Sequence, residues 1–182
     1  YNERDKIYNT ADQISSHLQQ KAVLNDTEHP ELNWQAEEQA VAQFRSSFDS
    51  QHGGFSHQPQ NKFPPSMGLM LLLRHHHRTG DSFSLEMVEK TLNKMYAGGI
   101  YDQLGGGLSR YSTDYKWLVP HFEKMLYDNA LFVWALIETF QITKNPVYET
   151  AVRDVLSYIE KIMTSSNGAF FSAEDADSEG VE

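Results

Sequence analysis

Along most of the chain, apolar residues recur every three or four positions, the spacing of one face of a helix. Six segments carry this pattern. Ile7, Ala11, Ile14 and Leu18 make a narrow stripe within residues 3–20, and Ala36, Ala40, Phe44 and Phe48 make another within 34–48. A third helix follows Pro64-Pro65 and carries Met67 and the unbroken run Leu69 to Leu73. It is apolar nearly all round, which predicts burial. The fourth, near 84–97, is amphipathic through Leu85, Val88, Leu92 and Met95. The fifth is predicted to begin near His121, directly after Pro120, and is again apolar on most sides from Ala130 to Ile137. The sixth, 146–163, returns to a single stripe of Val152, Val155, Leu156, Ile159 and Ile162.

Buried and amphipathic helices therefore alternate, and so do their connections. Thr79-Gly80-Asp81 and Thr143-Lys144-Asn145-Pro146 are short turns, whereas 49–66, 98–120 and the stretch from 164 onward are long and marked by glycine. Thr79, Val88, Leu92 and Met95 recur 64 residues later as Thr143, Val152, Leu156 and Ile159. A repeating hairpin that cannot bury its own face implies stacked neighbours. A solenoid of tetratricopeptide type would repeat near 34 residues, and nothing recurs at half the observed spacing. The pattern predicts an all-α fold in which helical hairpins form about half of a toroid, with inner helices shielded by an outer ring. The long loops then share one face, at the N-terminal ends of the inner helices.

Charge and composition narrow the function. A net charge of -10 argues against nucleic-acid binding, which rests on neutralising phosphates with Lys and Arg, and against an anionic membrane surface. The absence of cysteine removes disulfides, zinc–thiolate sites and thiol catalysis. No apolar run approaches the roughly 20 residues of a membrane span. The N-terminus is neither basic nor apolar enough for a signal peptide, so a cytoplasmic location is expected. The chain opens at Tyr1 and stops inside an acidic segment, which reads as a fragment of a longer protein.

The densest chemistry lies at 98–130, where Tyr101, Tyr111, Tyr115 and Trp117 interleave with Asp102, Arg110, Asp114, His121 and Glu123. Aromatic faces stack on the C–H faces of sugars, and neighbouring charged groups bind hydroxyls and move protons. Candidate acid/base residues are His121, Glu123, Asp102 and Asp175; candidate substrate-binding residues are Tyr101, Arg110, Tyr111, Trp117, Glu174 and Asp177. A plainer reading of His121 and Glu123 has the carboxylate favoured by the start of the helix and the imidazole packed locally. Asp128 and Asn129 either face the lumen or bond a neighbouring loop.

Other motifs read as structural. The triple glycine at 105–107 lacks the preceding strand and following lysine of a phosphate loop, so a tight turn is expected. His75-His76-His77 sit on consecutive helical positions about 100° apart and cannot share one ion; a solvated helix end is expected. Asp175-Ala-Asp-Ser-Glu-Gly180 matches the first half of a calcium loop, but no helix leads into it. No metal and no cofactor are expected.

Several of these motifs carry a family resemblance. Lys62-Phe-Pro64, Gly98-Gly-Ile-Tyr-Asp102, Leu104-Gly-Gly-Gly107, the block from Lys116 to Ala130 and Ser172 to Gly180 resemble the YyaL family, which includes the animal spermatogenesis-associated thioredoxin-like proteins. The likeness covers about residues 35–182. It implies a thioredoxin-like domain upstream, with 1–33 as a linker helix and 34–182 as the first part of a six-hairpin toroid similar to glycosidases and N-acylglucosamine 2-epimerases. Gln103 and Ser109 stand where relatives are expected to carry histidine, which weakens a histidine mechanism in that loop.

Two functions follow as expectations: acid/base chemistry on a sugar or sugar-like small molecule, or a non-catalytic recognition module serving the thioredoxin-like domain. Two structural expectations accompany them. Trp117 should pack against the glycine loop or the start of the fifth helix and order the segment. Flank and lumen residues including Phe44, Val155, Ile159, Leu71, Leu73, Phe132 and Leu136 should be left partly uncovered, favouring a homodimer.

Overall fold

Six helices form close to where apolar spacing places them: α1 (Arg4–Ala22), α2 (Gln35–Ser47), α3 (Ser66–Thr79), α4 (Ser82–Tyr96), α5 (Leu126–Thr143) and α6 (Pro146–Lys161). Four two-residue strands join them: β1 (Tyr111–Ser112), β2 (Pro120–His121), β3 (Lys124–Met125) and β4 (Ala173–Glu174). These elements come from a computed structural model that describes residues 4–22, 33–55 and 61–177. The chain divides into two units, Tyr1–Trp34 and Gln35–Glu182. In the first, α1 is a lone helix whose stripe residues Ile7, Ile14 and Leu18 are exposed.

In the second unit, α3 and α5 pack on each other, α4 backs α3, α6 backs α5, and α2 touches α3. This is the inner and outer arrangement that the alternation predicts. The core between them holds Leu69, Leu72 and Leu73 of α3, Met87, Val88 and Leu92 of α4, Phe132, Ala135 and Leu136 of α5, and Ala151 and Val155 of α6. Each fully buried large side chain contributes roughly 1.5–3 kcal/mol.

The 64-residue repeat is also a repeat of atoms. Thr79 Oγ1 donates to the His75 carbonyl and Thr143 Oγ1 to that of Thr139. Gly80 and Lys144 then take left-handed φ values of 76° and 57° and close the two helices on the carbonyls of His76 and Phe140. Asp81 and Asn145 next cap α4 and α6 by accepting the Ser84 and Val147 N–H groups. A left-handed closing residue followed by an Asx cap ends one helix and starts the next within two residues.

Three expectations need correction. Helix α5 starts at Leu126, not His121, because 120–125 are drawn into two antiparallel ladders, with Tyr111 opposite His121 and Lys124 opposite Glu174. Glu123 therefore precedes the helix and does not occupy its first turn. The triple histidine is not a solvated end: His75 is buried with Nδ1 2.7 Å from Glu37, His76 Nδ1 lies 2.9 Å from the Asp81 carbonyl oxygen, and only His77 is exposed. The residues expected to lie uncovered are mostly covered, since Val155, Ile159, Leu73, Phe132 and Leu136 are buried and Phe44 and Leu71 are half-buried. The exposed apolar residues of these helices include instead Met67, Trp134, Ile137 and Ile142 on the inner helices and Val147, Leu156 and Ile162 on or just after α6. Among the described residues, no helix is long and apolar enough to cross a membrane.

Candidate functional site

The long loops gather over the N-terminal ends of α3 and α5, held there by short pairings. Lys62, just before α3, bridges Ser112, and Met125, just before α5, pairs with Ala173. Buried Asn129 in the first turn of α5 acts as a third strand for the glycine loop: its Oδ1 accepts the Leu108 N–H at 2.7 Å and its Nδ2 donates to the Leu108 carbonyl at 3.0 Å. Asp114 gathers the far end of the loop by accepting N–H bonds from Lys116, Leu118 and Val119. Burial pushes its carboxyl up, but those N–H groups outweigh burial and the net shift is down.

Trp117 corrects a sequence expectation. It is 0% exposed, its Nε1 donates to the His52 carbonyl at 2.8 Å, and the Lys62 ammonium sits 4.7 Å from its ring. No face remains for a ligand, so it is a packing anchor and not a stacking platform. Buried Lys62 bonds the Gly53 and Tyr115 carbonyls in the same knot.

Four predicted residues do come together. Tyr111 stacks on His121 with centroids 4.8 Å apart and planes 18° apart, and exposed Phe63 extends the ladder at 4.9 Å from Tyr111. Beside Tyr111 in sequence, Arg110 pairs with Glu123 at 2.7 Å, and the backbone N–H of Arg110 donates to the Glu123 carbonyl. The Tyr127 hydroxyl is near enough to act on both Arg110 and Asp128. Asp128 is 9% exposed and its Oδ2 has no hydrogen-bond partner. Burial foremost, with help from the Glu123 charge, raises its carboxyl to about 6, against opposition from Tyr127 and Arg110. Sequence reasoning left Asp128 undecided and missed Phe63. A carboxylate in the first turn of a helix that is apolar on most sides was the available signal.

The remaining predicted residues lie elsewhere. Glu123 and Lys124 are neighbours whose side chains diverge. Lys124 reaches Asp102 at 2.8 Å and the Gly106 carbonyl, while Glu174 receives the Tyr158 hydroxyl at 2.6 Å. Burial raises the Asp102 carboxyl, but Lys124 and the N–H groups of Gly105 and Leu104 bring it below its usual range. It serves as the anchor of the glycine turn. Tyr101 is buried against Tyr96. Asp175 and Asp177 are exposed, with the Asp177 N–H on Asp175 Oδ1 at 3.3 Å. The rest of the calcium-like motif, Ser178 to Gly180, and the stretch 56–60 lie outside the described residues. Among those described, no three His, Asp or Glu side chains converge as metal ligands do.

No family model matches the chain. Over 140 residues, 75% of its length, it is 41% identical to spermatogenesis-associated protein 20 of Homo sapiens. The chain belongs to this family. The match spans 18% of that relative's length, so the family's whole proteins extend well beyond the segment described. Among solved structures, a cellobiose 2-epimerase from Bacillus thermoamylovorans superposes on 82% of the chain with a TM-score of 0.69 at 16% identity, over 41% of its own length. A mannosidase from Bacteroides thetaiotaomicron superposes on 73% with a TM-score of 0.52 at 12% identity, over 40% of its own length. At such identities the likeness shows the fold alone: this member of the family is about half of an (α/α)6 toroid, a fold shared with sugar epimerases and glycosidases.

Proposed function

We propose that the loop face of this toroid segment binds a sugar or sugar-like molecule and performs acid/base chemistry on it within the whole protein. One observation carries the reading: the Phe63–Tyr111–His121 ring ladder lies beside an Arg110–Glu123 pair and a buried carboxyl, Asp128. The rings offer faces to sugar C–H groups, Arg110 offers paired donors to hydroxyl or carboxylate oxygens, and Asp128 holds a proton to a pH near that of the cell. In this reading Glu123, Asp128 and His121 are the acid/base set, and Tyr111 and Phe63 form the platform. The sugar-active proteins of the same fold support the substrate class as an analogy of fold.

A second reading, a recognition module serving a thioredoxin-like domain elsewhere in the protein, is favoured by one observation. Glu123 and Asp102, two carboxylates first in line for catalysis, are already held by Arg110 and Lys124. Thermal-shift measurement with a panel of neutral mono- and disaccharides separates the readings, because a ligand raises stability by mass action whatever the reaction. The first expects stabilisation that Tyr111→Ala abolishes, followed by conversion of the sugar in the whole protein. Stabilisation without conversion selects the second, and no response to any sugar overturns the first.

A further inference from the structure

A second depression, of about 380 Å³, lies between the glycine loop and the C-terminal half of α6. None of the ring ladder or the Arg110–Glu123 pair lines it. Tyr101 does line it: the residue as a whole is 4% exposed, and its hydroxyl, with no hydrogen bond to another described residue, is left to the depression. The charges of Asp154 and Asp102 and the Tyr96 phenol act on that hydroxyl, which places it on the side of the depression. Burial first, and then those neighbours, raise its pKa, so it stays a donor at physiological pH.

The surrounding charges decide what chemistry fits. Asp102 is matched by Lys124, and the Tyr158 hydroxyl by Glu174. The Lys124 ammonium also covers the Tyr158 ring at 4.5 Å from its centroid. A ligand cation would find that aromatic face taken by the chain's own ammonium, and an anion would meet Asp102 and Asp154. What is left to offer is the Tyr101 hydroxyl, the exposed Asp154 carboxylate, Ser157 and Lys161. This set of donors and acceptors surrounds the tilted Tyr96–Tyr101 ring pair, whose centroids are 4.7 Å apart. We propose that this depression is a separate binding site for a neutral polyhydroxylated ring, a carbohydrate, with the Tyr101 hydroxyl and the Asp154 carboxylate as its principal contacts. Its size is at the lower end of the roughly 300–1,000 Å³ of small-ligand pockets, suited to one or two sugar rings. The proposal does not depend on the ring ladder being a site.

Amide spectra of the labelled protein, titrated with cellobiose and with D-mannose, test it. The Gly105, Gly106 and Tyr158 signals are expected to move saturably with at least one sugar. Tyr101→Phe, which removes one oxygen, should weaken that binding about tenfold, the equivalent of one good hydrogen bond. Asp154→Asn, at an exposed helical position whose carboxylate otherwise meets, among the described residues, only the Tyr96 hydroxyl at 3.5 Å, should weaken it in the same direction. Three results overturn the proposal: no saturable movement at these residues with either sugar, equal affinity in both variants, or movement driven by choline or inorganic phosphate in place of sugar. Sugar-dependent movement confined to Arg110, Tyr111 and His121 also overturns it while leaving the ring-ladder reading intact.

Discussion

Asp128 is the residue whose chemistry is most exposed to experiment, because its surroundings contradict its charge. Its carboxyl is buried, has an unsatisfied Oδ2, and titrates near 6 in the folded chain against 3.8 for a free group. The folded state therefore keeps this proton over a range in which the unfolded chain has lost it. Stability should fall as pH rises from about 4 to 6, and stay level with respect to this group above that. At 1.36 kcal/mol per unit, the total is about 3 kcal/mol. Asp102 and Asp114 are shifted down, so their own contributions are lost below about pH 4, outside this window. Chemical denaturation at a series of pH values should show Asp128→Asn gaining on the wild type by up to about 3 kcal/mol between pH 4 and 7. A pH-independent difference between the two would place the carboxyl in contact with water. In the sequence, Asp128 could be noticed as a charge on an apolar helix, but its neighbours could not. Arg110 acts on it from a separate segment, the long loop before β1, and no local spacing encodes that meeting.

At the scale of elements, the long loop behaves as a built part of the fold. Trp117 locks it from the inside while taking a left-handed φ of 67°, and the chain passes so close to the preceding turn that a Cβ on Gly99 would lie 2.1 Å from the Leu118 carbonyl oxygen. Trp117→Ala should cost about 3–5 kcal/mol, as other buried aromatic truncations do. Gly99→Ala should also destabilise, through backbone displacement and not through lost contact, and guanidinium melts of the two variants check both. A loss below about 1 kcal/mol for Trp117→Ala, the range of surface changes, would show the ring to be dispensable. Helices α2, α4 and α6 were legible because each buries one face, and a buried face leaves a period of three to four in the sequence; α3 was legible from its unbroken apolar run. The start of α5 was misplaced because Pro120 is a helix-start signal in isolation, whereas here it opens β2 against Ser112. Two-residue strands bury no periodic face, so β1 to β4 left no pattern to read. Trp117 was legible as an ordering residue, but its aromatic neighbours made a ligand platform an equally natural reading.

For the whole molecule, the inner helices present an open apolar surface. Met67 is 71% exposed on α3, and Trp134, 54% exposed on α5, donates its Nε1 proton to Glu138, which also holds Arg74 of α3. Contiguous exposed apolar patches beyond a few hundred Å² are unusual on soluble monomers. We expect this chain to self-associate through that surface, most simply as a two-fold dimer. Light scattering coupled to size exclusion should show a mass that rises with concentration, and Trp134→Glu should return it to the monomer. A constant monomeric mass in the wild type would mean that the surface is tolerated in water. At the opposite end from the loops, the two hairpin turns reuse one design with different letters, glycine at 80 and lysine at 144. A side chain in the left-handed region carries a penalty that glycine avoids, so Lys144→Gly should raise the melting temperature, by the equivalent of about 0.5–1 kcal/mol. The two hairpins are thus interchangeable parts cut to one template. A protein assembled from such parts can lengthen, exchange or rewrite its loops on one side while the joints on the other keep every copy in step.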